Sequence, residues 1–311
     1  MKRTIYSVSI LSIALLVILS GCEYLPLGPA EPRDNPFDPD RTEEPAETGD
    51  EVDSFKVYYV ECNYSVSRCG PDGSDPAIIL DEYEVNEIWS IAVDEEGKEL
   101  YAADGGVGLI SFTMLGFLSE TVIEPVGYSF YDVHSVAIDR ANALLYFADE
   151  DNGRIYRSDL EGETIADITP AGISRPLGLN VDGSSAKLYW VDRGTQKIQR
   201  SDLNGTNVED ILTSLNEPVG LALDSGGGKL YWTDIAGDHI SRCNLDGTGV
   251  EIILTGLSDP WGIEVDSSRE RIFYSQNGTG TVCTAGLDGS EPKAIVSGLT
   301  DVLGIALYRG Q

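Results

Sequence analysis

Six positions spaced 42 to 45 residues apart carry Glu87, Asp132, Arg175, Glu217, Asp259 and Asp301, five of them acidic in a chain where about one residue in six is. Two residues after each stand Trp89, His134, Leu177, Val219, Trp261 and Leu303. Carboxylates beside exposed rings suit a cation or a basic side chain, through Coulomb attraction and the negative face of the ring. The binding candidates are therefore Glu87, Trp89, Asp132, His134, Glu217, Asp259, Trp261 and Asp301. The plain alternative is an acidic, solvated rim above aromatics that belong to the core. Other chemistry finds little support. The two His are 105 residues apart, there is no C-x-x-C, and G-x-S-x-G, H-E-x-x-H and EF-hand patterns are missing. The Gly226-Gly227-Gly228-Lys229 run lacks phosphate-loop spacing and reads as a strand turn. No catalytic residue, cofactor or metal ligand set is expected from spacing. With 21 Lys+Arg against 52 Asp+Glu the net charge is −31, a surface that repels nucleic acid and attracts basic polypeptides.

These positions sit on a repeat. A first aromatic recurs at Tyr58, Tyr101, Tyr146, Tyr189, Tyr231 and Phe273, inside strand-like runs such as Leu188-Tyr189-Trp190-Val191-Asp192 and Leu230-Tyr231-Trp232-Thr233-Asp234. An apolar strand ending in Asp94, Asp139, Asp182, Asp224 or Asp266 precedes the aromatic by seven residues. A third strand follows, then a turn that favours positive φ (Asn204-Gly205, Asp246-Gly247, Asp288-Gly289), then a fourth strand. Six units of this length predict an all-β, six-bladed β-propeller. The last apolar strand, Leu303 to Leu307, has no aromatic strand after it, and Val57 to Glu61 has no apolar strand before it. The C-terminal strand is expected to pair into the N-terminal blade and close the ring. The six positions, five of them acidic, then lie at the mouth of the central channel. Tyr189, Trp190, Tyr231 and Trp232 should fill the wedges between blades, and Asp192 and Asp234 should pair with Arg200 and Arg242 of the third strands. Gln276 and Thr284, which replace both partners in the sixth unit, fit that pairing; Phe112 in the second does not.

The full motif Tyr231-Trp232-Thr233-Asp234 and its near copy Tyr189-Trp190-Val191-Asp192 make the chain resemble the YWTD, or class B repeat, propellers of the low-density lipoprotein receptor family, over roughly residues 54 to 309. The resemblance implies a binding module whose mouth takes short protein segments. It lacks the Cys-dense flanking modules of the animal receptors, so endocytic biology is not implied. A metal-dependent gluconolactonase-like or lyase-like propeller is the alternative, with mouth carboxylates as hard-oxygen ligands.

The N-terminus gives an address. Residues 1–21 read as a signal peptide: Lys2 and Arg3 form a basic start and Ile10 to Leu19 an apolar core. Leu19-Ser20-Gly21-Cys22 resembles the bacterial lipobox, which implies lipid on Cys22 and an envelope protein held to the membrane by that lipid only. Glu23 rather than Asp after the Cys leans towards the outer membrane in a Gram-negative cell. Residues 22–53 form an acidic, Pro-rich linker, with six Pro and eleven acidic residues from Glu23 on, and 54–311 the propeller. Export permits disulfides, and Cys62–Cys69 is the candidate pair; Cys243 and Cys283 are expected free or buried. The partner expected is an envelope or extracellular protein, peptide or glycan, and the propeller is expected to be a monomer.

Overall fold

The computed structural model describes residues 55–61, 65–80, 87–105, 108–113, 118–123 and 132–310. The signal peptide, the linker, Cys22 and Cys62 lie outside them. The described residues form six antiparallel four-stranded sheets. The first holds β1 (Lys56–Glu61), β2 (Ser65–Cys69) and β3 (Ala77–Leu80). The second holds β4 (Ile88–Asp94), β5 (Glu99–Asp104), β6 (Gly108–Thr113) and β7 (Leu118–Ile123). The third holds β8 (Val133–Asp139), β9 (Leu144–Asp149), β10 (Arg154–Asp159) and β11 (Ile165–Asp167). The fourth holds β12 (Pro176–Asp182), β13 (Lys187–Asp192), β14 (Lys197–Asp202) and β15 (Glu209–Leu212). The fifth holds β16 (Pro218–Asp224), β17 (Lys229–Asp234), β18 (His239–Asn244) and β19 (Glu251–Thr255). The sixth holds β20 (Pro260–Asp266), β21 (Arg271–Gln276), β22 (Thr281–Gly286) and β23 (Lys293–Ser297), and β24 (Val302–Tyr308) ends the chain.

As expected, β24 completes the first sheet, in the order β24-β1-β2-β3, with Lys56 opposite Tyr308 and Tyr59 opposite Ile305. The inner strands touch in turn, β4 on β8, β12, β16, β20, β24 and back to β4, so the ring closes. This is a six-bladed β-propeller.

The motif aromatics fill the wedges between blades. Trp190 packs in one cluster with Tyr146 and Ile155 of the blade before it, and Tyr189 in another with Leu221 and Trp232 of the blade after it. Both Trp side chains are buried. The third motif residue stitches blades together where it carries a hydroxyl. Thr233 Oγ1 accepts from Gly220 N at 2.8 Å and donates to Trp261 O of the next blade at 2.7 Å. Ser275 does the same between Gly262 N and Leu303 O. The glycines are needed there, since a Cβ on Gly220 would sit 2.2 Å from Trp261 O. The third blade moves the hydroxyl: Ala148 takes the motif position and Ser135 of the inner strand accepts from Leu179 N of the next blade at 3.1 Å.

Two expectations fail. The motif Asp does not pair with the third-strand Arg. In the β17–β18 register Asp234 faces His239, whereas Arg242 faces Tyr231, three residues along the ladder. Asp234 instead accepts from the backbone N–H groups of Asn216, Glu217 and Gly237, and Asp192 from those of Ser174, Arg175 and Thr195. Arg200 and Arg242 bind Glu209 and Glu251 of the fourth strands and the carbonyls of Leu245 and Leu287 in the following blade. Gln276 keeps the cap by accepting from Ser258 N, so its coincidence with Thr284 had no common cause. The second failure is the Cys62–Cys69 bridge. Cys69 is a free, buried thiol opposite Val57, at the far end of the β1–β2 ladder from the Glu61–Ser65 pair where the turn begins. Cys243 and Cys283 are free and buried, as expected.

Candidate functional site at the channel mouth

Every inner strand begins with one extra residue relative to its partner. The register slips between Ile88 and Ser90, between Val133 and Ser135, and at the matching place in the other four sheets. A bulge re-aims the side chains at its position, here at the rim of the channel. The extra residues include Trp89, His134 and Trp261. Their rings run side by side: His134 on Trp89 at 4.3 Å between centroids and Trp89 on Trp261 at 6.0 Å, each pair 25° from parallel. Leu177, Val219 and Leu303, at the same repeat position, are buried in the core. The aromatic platform thus occupies one side of the mouth only.

Carboxylates border that side. Glu87 and Asp259 are exposed, and Asp132 and Asp301 half-buried. Asp259 and Asp301 adopt left-handed backbone, φ 46° and 48°, a conformation Asp tolerates better than most residues. Burial pushes the Asp132 carboxyl up to about 7, and the charges of Asp151, Glu150 and Glu87 add to the shift. Burial also lowers His134 to about 4, so its imidazole is neutral at pH 7. A Cβ on Gly105 would lie 2.9 Å from Asp132 Oδ1 and 3.0 Å from Trp89 Nε1, so only glycine leaves these two groups their place. Trp89 Nε1 is buried without a hydrogen-bond partner.

The opposite side is zwitterionic. Arg175 reaches Glu150 Oε1 at 2.5 Å, Arg193 lies 3.8 Å from the same oxygen, and Arg193 also pairs with Glu217. Burial raises the Glu150 carboxyl, while the two guanidinium groups pull it back. Glu217 therefore belongs to an ion pair rather than to the acidic border. His134 joins the two sides, with Nδ1 3.4 Å from Asp132 Oδ1 and Nε2 3.3 Å from Glu150 Oε2.

Sequence reading missed Gly105, Glu150 and Arg193. All three follow the motif Asp directly, and each donates its backbone N–H to the carbonyl of the mouth residue of its own blade: Gly105 to Glu87, Glu150 to Asp132, Arg193 to Arg175. The same repeat offset that exposed the first ring could have exposed this second one. The channel has a volume of about 250 Å³ and is lined by residues of all six inner strands, Glu264 among them, and by Arg309.

The family model described as low-density lipoprotein receptor repeat class B matches residues 186–225, from the turn before Leu188-Tyr189-Trp190-Val191-Asp192 to the end of β16. The match covers the length of about one blade. A crystal structure of a nidogen/laminin complex superposes with a TM-score of 0.73 at 19% identity, over 82% of this chain and 98% of that one. TolB from Acinetobacter baumannii gives a TM-score of 0.67 at 15% identity, over 81% of this chain and 66% of that one. A streptogramin B lyase gives 0.60 at 16% identity, over 81% and 83%. No curated protein sequence matches the chain. The propeller fold is thus shared with a protein crystallised in a protein complex and with a lyase, and it leaves the choice of function to the site.

Proposed function

We propose that this class B repeat propeller is a lipid-anchored binding module of the cell envelope, in the outer membrane if the cell is Gram-negative, that docks a cationic segment of a protein or peptide at its mouth. The observation that carries the reading is the one-sided run His134–Trp89–Trp261 bordered by Glu87, Asp132, Asp259 and Asp301. A cation over an indole face gains about 0.5–2 kcal/mol, more as water is excluded, and the carboxylates set the sign of the partner. The nidogen/laminin structure supports this kind of role, since there a propeller of the same fold is part of a protein complex. A lyase-like activity is the second reading, and the Asp132–His134–Glu150 cluster is what favours it.

Binding of a Lys/Arg-rich peptide to the purified chain, followed by tryptophan fluorescence, tests the proposal. Wild type should saturate and Trp89→Ala/Trp261→Ala should bind at least about tenfold more weakly, with its melting curve recorded as the control for folding. Equal affinity of the folded double variant would remove the mouth as the binding surface.

A further inference from the structure

We propose that the central channel is a binding site for a primary alkylammonium group, with Glu264 as the carboxylate that receives the ammonium. The channel has room for such a chain, about 250 Å³, and among its lining residues only Glu264 carries a carboxylate. Glu264 stands three residues after Trp261 on β20, at most about 10 Å along the strand from a ring that lines the same volume. Its carboxylate takes the backbone N–H of Val265 and feels the charge of Arg309, but no side chain donates a hydrogen bond to it. Arg309 is engaged elsewhere, donating to Val265 O at 2.9 Å and to Glu95 Oε1 at 3.2 Å. A carboxylate enclosed by protein with acceptor capacity left open is costly until a donor reaches it.

The repeat shows that the fold does not need this group. The same place in the other inner strands holds Ala92, Ala137, Asn180, Ala222 and Ala306. Five blades thus close the ring with a small, uncharged side chain there. In the sixth, burial lifts the Glu264 carboxyl to about 7, so above that pH its charge weighs against folding. Its neighbours on the wall select the kind of cation. Val93, Ile138, Val181 and Leu223 are half-buried where they line the channel, an apolar sleeve for a slim methylene chain. An ammonium brings three donors to a carboxylate that lacks them. A divalent metal such as Ca²⁺ asks for more oxygen ligands than one carboxylate supplies. A free amine and the lysine side chain of a partner share this chemistry. The site needs Glu264 and the channel, and it stands without the docking role of the mouth.

The test is a calorimetric titration of the full chain with n-butylammonium chloride at pH 8 and matched ionic strength, where Glu264 is ionised. Wild type should saturate at one equivalent. The uncharged chain of the same length, 1-butanol, should bind at least about tenfold more weakly. Glu264→Gln keeps the shape of the wall and should weaken butylammonium binding at least about tenfold while melting as a folded protein. Absence of saturable binding to wild type overturns the proposal. So does equal affinity in folded Glu264→Gln, which would mark diffuse attraction to an acidic surface. Equal binding of 1-butanol overturns it too, since the channel would then take the chain without its charge. Nα-acetyl-lysinamide, titrated into both proteins, separates the sources. Glu264-dependent binding of both ligands supports the site and extends it to a lysine side chain; Glu264-dependent binding of butylammonium alone supports the site for free amines. Butylammonium titrated into Trp89→Ala/Trp261→Ala, which retains Glu264, keeps failure of the docking role distinct from failure of this one.

Discussion

A buried carboxylate that accepts three backbone N–H groups serves the fold before it serves chemistry. Asp234 is such a group, and removing it strands the donors of Asn216 and Glu217 just before the inner strand and of Gly237 in the turn after β17. Asp234→Ala should therefore cost roughly 3 kcal/mol, seen as a melting temperature lower by about 6–12 °C. Asp234→Asn should cost less, because the Gln276 side chain fills the same cap in the sixth blade through its amide oxygen. Because Arg242 binds elsewhere, the losses from Asp234→Ala and Arg242→Ala should add; a coupling above ~0.5 kcal/mol in the double-mutant cycle would restore the ion pair that the register denies. Glu264 gives the residue scale its pH dependence. Part of its surface faces the channel, but protein surrounds it, and burial lifts its carboxyl to about 7 against the pull of Arg309. Between about pH 4.5 and 7 the native chain keeps a proton there that the unfolded chain loses, so this group lowers stability as pH rises through that window. Glu264→Gln should raise stability at pH 8 by up to about 3 kcal/mol and leave it nearly unchanged at pH 4, measured by urea unfolding at both values.

At the scale of elements, the repeat distributes a few tasks among interchangeable positions. In three blades a hydroxyl bridges one inner strand to the next, supplied by Thr233, Ser275 or, from the strand itself, Ser135. Thr233→Val keeps the shape and strands Gly220 N and Trp261 O, so it should cost about 1–3 kcal/mol by thermal or denaturant melting. Val191 occupies this position in the fourth blade, so Val191→Ala should cost only the price of a smaller apolar side chain there. The hairpin between the inner and second strands shows the same economy of design. The residue four places after the turn Asp is left-handed in five blades: Lys98, Ala143, Ala186, Gly228 and Glu270, with φ between 51° and 67°. Only the fifth blade uses glycine, the residue without a Cβ penalty there. Ala186→Gly should stabilise by roughly 0.5–1 kcal/mol and Gly228→Ala destabilise by a similar amount. Loss of stability in Ala186→Gly would show that strain at this turn is set by something other than the Cβ.

At the scale of the whole molecule, periodicity made the architecture legible and pairing rules made the site only half legible. The six aromatic strands, their turns and the orphaned strand at each end of the chain were enough to predict closure, because a propeller has no other way to satisfy two unpaired edges. Mouth positions followed from the same period, and Trp89, His134, Trp261, Asp132 and Glu87 do meet there. What the period could not reveal was which carboxylate is already claimed. Glu217 is held by Arg193 and Glu150 by Arg175, contacts between neighbouring blades that depend on side-chain reach rather than on repeat offset. The Asp–Arg pairing failed for a related reason: both residues recur together, but the antiparallel register sets them three rungs apart. Closure itself admits a direct check. β24 buries Val302, Leu303, Ile305, Ala306, Leu307 and Tyr308 in the wedges against the second and sixth blades, and its backbone supplies the inner edge of the N-terminal sheet. Deleting residues 302–311 would leave β1 as an unpaired inner strand and open both wedges beside it. That chain should lose its cooperative thermal transition and bind a hydrophobic dye at room temperature, whereas deleting Gly310 and Gln311 alone should leave the melting curve within a degree or two of wild type. A truncated chain that still melts sharply near the wild-type temperature would mean that five complete blades hold the ring without its clasp, and that the mouth is built on a more independent scaffold than a closed propeller provides.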